Sequence, residues 1–224
     1  EATSRGRGQA PVARAGGSTW PVPFPGADGE QPRRAVARTF SGRVAPGRAT
    51  VTATVLRRGK PLPHVEARLM QQDQILATAN ASFGASRQSS IVVPGAPRPD
   101  APAPDTVRAL PNVPGVTPAF LEHFDLRWTH GLPPFSGADK PDFSGWCRHK
   151  EPAGDDESTL IGLLDVWPPS VLPLLKRPAP GSSLTWSFDL IDPGVSTDGN
   201  DWWFYEVNTQ GAANGFVQAD AKLW

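Results

Sequence analysis

Asn208, Thr209 and Gln210 are three neutral hydrogen-bonding side chains brought together in one short stretch. They lie in DWWFYEVNTQGAANGFVQADAKLW, residues 201–224. This stretch reads as two strands joined by a small, polar, glycine-bearing bend, with Asn208, Thr209 and Gln210 at its middle. A threonine hydroxyl can orient a water but cannot act as a base near neutral pH. Asp165 is the candidate base. It sits one turn after Ile161 in the apolar run STLIGLLDVW, where burial would raise its pKa; the competing reading is a structural cap or ion pair. His123, His130 and His149 lack a ligand spacing such as HExxH, so no metal is expected. SFGAS and GAANG have no strand-GxxxxGK-helix context and read as turns rather than phosphate loops. No cofactor is implied.

These residues need a scaffold, and composition limits it. The chain has 224 residues, enough for one large domain or two small ones. Its formal net charge is zero, which gives no broad electrostatic footprint for nucleic acid or anionic lipid. The short arginine pairs Arg33–Arg34 and Arg57–Arg58 read as solvated surface. The single cysteine, Cys147, excludes an internal disulfide framework. With no signal-like apolar run and no long apolar span, the chain is expected to be cytoplasmic.

Proline, at 26 residues, confines ordered elements to the windows between prolines. Residues 1–33 show no period and read as irregular. From 34 to 85, AVARTF, ATVTATVLRRG, HVEARLM and ILATANASF alternate or carry β-branched residues. They predict four antiparallel strands in a meander. Residues 86–118 are proline-punctuated and read as a linker. In 119–224, FLEHFDLRW predicts a strand and WCRHKEP a short one. GDDESTLIGLLDVW predicts a helix with an acidic first turn, with Leu160, Leu163, Leu164 and Trp167 at helical spacing. Pro168 and Pro169 end that helix, SVLPLL adds a turn, and three strands follow.

A shift of 152 residues lays Val55 on Val207, Gly59 on Gly211, Val65 on Val217 and Ala67 on Ala219. Likewise AVARTFSGRVAPG lies over SLTWSFDLIDPG. A duplicated unit is expected, each copy with a hairpin whose bend carries a glycine.

A helix packed by a long antiparallel sheet, present twice, resembles the double hotdog, an α+β fold in which each antiparallel sheet wraps a helix. The motifs PGRATVTATVLRRGKPLPHVEARLMQQDQILATANASF, STLIGLLDVWPPSVLPLL, SSLTWSFDLIDPG and DWWFYEVNTQGAANGFVQADAKLW resemble the acyl-CoA thioesterase II family. That resemblance implies hydrolysis of acyl-CoA to fatty acid and CoA by an Asp, a Ser or Thr and a Gln holding a water. It puts Thr185 at the Asp place and Thr209 or Gln210 at the hydroxyl place. The Gln would lie on a final strand expected to be missing after Trp224. Trp202, Gly211 and Trp167 are expected to contact substrate, and a homo-oligomer is expected. The alternative is a catalytically silent hotdog that binds acyl-CoA or serves as an assembly partner.

Overall fold

The computed structural model describes residues 32–57, 62–113, 117–151, 157–190 and 201–224. Residues 1–31 of the expected irregular region, Gly59 of the first hairpin and the expected acidic residues Asp155 and Asp156 lie outside them, while Arg33, expected to be irregular, already belongs to a strand. The chain forms two compact units. One comprises the described residues of Glu1–Val92 and Ser182–Val195, the other those of Val93–Gly181 and Ser196–Trp224.

The first unit holds β1 (Arg33–Phe40), β2 (Thr50–Arg57), β3 (His64–Gln71), β4 (Gln74–Phe83) and β7 (Thr185–Asp189). All four strands expected from residues 34–85 are present. The β3–β4 hairpin turns at Gln72 and Asp73, both at positive φ, as a two-residue hairpin loop requires. The order is β2-β3-β4-β1-β7, which corrects the simple meander. β1 lies beyond β4, pairing Val36 with Ala81, and does not pair with β2. β7 pairs with β1, Val36 opposite Phe188. The strand SLTWSFD therefore completes the first unit's sheet, although it lies within the 119–224 span expected to form the second. Val36, Val65, Ala67, Leu69, Ala81, Phe83 and Phe188 are buried.

The second unit holds β5 (Phe124–His130), β6 (Phe143–His149), α1 (Glu157–Asp165), β8 (Trp203–Ala213) and β9 (Phe216–Leu223), with sheet order β5-β6-β8-β9. The strand expected from Phe120 begins four residues later, because Ala119–His123 makes a 3-10 turn after Pro118. One sheet face packs on α1 in the expected manner. Leu163, Val166 and Trp167 bury against Leu126, Phe143, Cys147, Tyr205 and Val207. Trp167 stacks on Tyr205 at 4.9 Å and 8° and meets Trp128 edge-on at 5.0 Å. Leu160 and Leu164 are only half-buried. Pro168 and Pro169 follow the helix, and Leu172–Leu174 forms the extra turn.

Cys147 is fully enclosed between helix and sheet. Burial pushes its thiol up from 9.0 to about 12, and the thiol points at the Leu163 carbonyl 3.9 Å away. Burial likewise raises the Tyr205 hydroxyl, and the nearby Cys147 and Asp165 add to that. Both groups hold their protons more tightly folded than unfolded. The thiol's contribution to stability is complete below pH 9.0 and is lost as pH climbs toward about 12. The folded chain is therefore expected to resist a thiol-specific chromogenic reagent at mildly alkaline pH and to react once denatured. Rapid native labelling would contradict this packing.

Candidate active site

β8 carries the site, and its hairpin differs from the expected one. The turn falls at Asn214 and Gly215, both at positive φ, since Asn-Gly suits a two-residue hairpin loop. Asn208, Thr209 and Gln210 lie inside the strand rather than at the bend. The ladder to β9 steps from Thr209↔Ala219 to Gly211↔Gln218, so Gln210 is the additional residue of a β-bulge. Such bulges re-aim side chains, often beside active sites. The two copies also differ in register. Val55 pairs with Val65 in the first hairpin, whereas Val207 pairs with Ala221 in the second.

On the other side of β8, the ladder with β6 begins at Phe143↔Val207. Pro141 and Asp142 precede β6 and offer no strand partner to Thr209. The Thr209 backbone N–H instead donates to Asp142 Oδ1 at 2.8 Å, and the Thr209 hydroxyl donates to Ser170 Oγ at 2.8 Å. Ser170 is 3% exposed, held just beyond the Pro168–Pro169 stop of α1. With its proton turned inward, the Thr209 hydroxyl keeps its lone pairs for a water. Among the described residues, Asp142 engages only Oδ1, which leaves Oδ2 for a second partner. Thr209 and Asp142 are half-buried and Gln210 is exposed.

The other expected site residues fall elsewhere. Thr185 is exposed on β7 in the first unit's sheet, opposite Thr39. Asp165 is half-buried at the end of α1 and acts electrostatically on Tyr205. Trp167, 7% exposed, is a core residue of the aromatic stack rather than the wall of an open groove. Trp202 is clamped by two guanidinium groups, Arg148 at 4.3 Å and Arg127 at 4.7 Å. Gly211 has open space around it, with no atom beyond its chain neighbours within 4 Å of where a Cβ would stand. Sequence reasoning missed Asp142 and Ser170. The signal for Asp142 was a carboxylate between a proline and the first residue of a strand, where a ladder must end. Ser170, an isolated serine after two prolines, gave none. Among the described residues no cluster of His, Cys, Asp or Glu could hold a metal ion, and no helix is long and apolar enough to cross a membrane.

Solved structures show the same architecture. A hotdog-fold protein of unknown function from Alicyclobacillus acidocaldarius superimposes with a TM-score of 0.78 at 23% identity, covering 86% of this chain and 72% of that one. The acyl-CoA thioesterase II TesB2 of Mycobacterium marinum gives 0.66 at 17%, covering 88% and 75%. A tesB protein of Mycobacterium avium subspecies paratuberculosis gives 0.66 at 18%, covering 95% and 89%. A search of curated proteins found no match. The fold is thus an α+β double hotdog. Residues 99–224 match the acyl-CoA thioesterase C-terminal domain and residues 10–84 the N-terminal domain. The chain belongs to the acyl-CoA thioesterase family.

Proposed function

We propose that this chain hydrolyses acyl-CoA thioesters, with the β8 bulge as its water-holding element. The observation that carries the reading is the anchored Thr209, whose N–H is held by Asp142 and whose hydroxyl is held by Ser170. Its oxygen accepts a hydrogen bond from the attacking water, and Asp142 Oδ2 takes that water's other proton as the water oxygen adds to the thioester carbon, then returns it to the departing thiolate. The Gln210 amide, next in sequence, donates to the oxyanion. Collapse of the tetrahedral adduct breaks the C–S bond. The CoA thiolate leaves, and the fatty acid retains the water oxygen. Asp142 stands in for the carboxylate that the family pattern puts where this chain has Thr185. A cytoplasmic site of action and a homo-oligomeric state complete this reading. The buried lone thiol and the lack of a membrane-crossing helix among the described residues accord with the first.

The Thr at position 185 favours a second reading, a hotdog that binds acyl-CoA without turning it over. Thiol release from a panel of short- to long-chain acyl-CoAs separates the two. Turnover is expected, falling about 10-fold or more in kcat in Thr209→Val, which keeps the side-chain shape and removes the hydroxyl. Saturable binding with no thiol release would establish the silent reading instead.

A further inference from the structure

Part of the segment expected to be a linker is docked. Residues 94–104, PGAPRPDAPAP, hold five prolines, so the backbone presents carbonyl acceptors and few N–H donors. Ala103 has polyproline-like dihedrals, φ −59° and ψ 142°. This segment belongs to the second unit and runs over the sheet face turned away from α1. That face meets it with side chains that only donate. Trp224 Nε1 donates to the Ala96 carbonyl at 2.8 Å and Trp146 Nε1 to Pro102 at 2.8 Å. Arg127 Nη1 donates to Pro104 at 2.6 Å and to Val107 at 3.2 Å. Arg98, reaching back from the segment, lies over the rings of Trp146 at 5.0 Å and Phe204 at 5.6 Å.

Indole and guanidinium groups have donors and no acceptor. They therefore match a chain that is rich in carbonyls and poor in amides, and a stiff extended chain loses little entropy on docking. Aromatic surfaces that bind proline-rich ligands use the same combination. We propose that this outer face is a recognition surface for an extended, proline-rich, arginine-bearing chain, and that residues 96–107 of the protein itself are its ligand, held in cis. The inference is independent of the thioesterase reading.

The test uses a fluorescent peptide of residues 93–107 and three versions of the whole chain. In the wild type the tethered segment occupies the face at high effective concentration, so the peptide binds weakly. A chain carrying Arg98→Glu, Pro99→Gly and Pro102→Gly should bind the peptide at least about 10-fold more tightly. Adding Trp146→Phe to that chain should remove about 10-fold of the gained affinity, the equivalent of one lost hydrogen bond at a buried site. The proposal is overturned if the triple variant, folded by circular dichroism, binds no better than the wild type. It is equally overturned if Trp146→Phe leaves the affinity unchanged. A measurement that leaves residues 96–107 unaltered guards against poor folding of the triple variant. Trp146→Phe alone should raise the rate of cleavage before Asp100 by an Asp-directed endoprotease, and an unchanged rate counts against the proposal.

Discussion

Gly145→Ala is expected to lose about 3 kcal/mol or more of stability, the upper end for overpacking a core. Gly145 lies in β6, opposite Trp128 of β5 and Tyr205 of β8. A Cβ there would stand 2.3 Å from the Arg127 carbonyl oxygen and 2.7 Å from Trp167 Cη2. Neither neighbour is the free end of a flexible side chain. The carbonyl belongs to the adjoining strand, and the indole is pinned between Trp128 and Tyr205. Relief would require β5 to part from β6 or α1 to lift from the sheet, and either exposes the main core of this unit. Urea denaturation of both chains measures the loss, and a variant with the wild-type midpoint would show that the helix–sheet contact is not tight. The site should suffer too, because Ser170 follows α1 and holds Thr209.

Much of this architecture was legible. Strand alternation located β1 to β4, and the leucine spacing located α1. The proline pair marked where α1 stops. Local pattern could not say which strands pair across long separations. The meander was the economical reading of short connections, yet β1 pairs with β4 and then with β7, about 150 residues away in the sequence, as any non-local ladder can. Glycine drew the bend to Gly211, whereas the Asn214–Gly215 pair makes it. The four residues of difference move Thr209 from a loop into a strand, where a bulge and a ladder end define its surroundings. The site was half legible for a related reason. Hydroxyl and amide types could be read directly, but Asp142 and Ser170 reach Thr209 only through the fold, from 67 and 39 residues away. Trp167 reads equally well as substrate wall or core from its spacing, and only its stacking on Tyr205 decides for core.

The proposed chemistry rests on the Asp142 carboxylate. Asn at this position keeps the Oδ1 acceptor that holds the Thr209 N–H, so the bulge and the Ser170 contact should persist. It removes the carboxylate that, among the described residues, bonds Thr209 and could take a proton from water. General-base contributions are typically 10²–10⁴-fold, and no other carboxylate among the described residues bonds Thr209. The most direct measurement is steady-state thiol release by Asp142→Asn and wild type at saturating acyl-CoA, with thermal melting run alongside. The account predicts a fall in kcat of about 10²-fold or more, with KM and the melting temperature little changed. An Asp142→Asn chain that melts normally and turns over at the wild-type rate would contradict it.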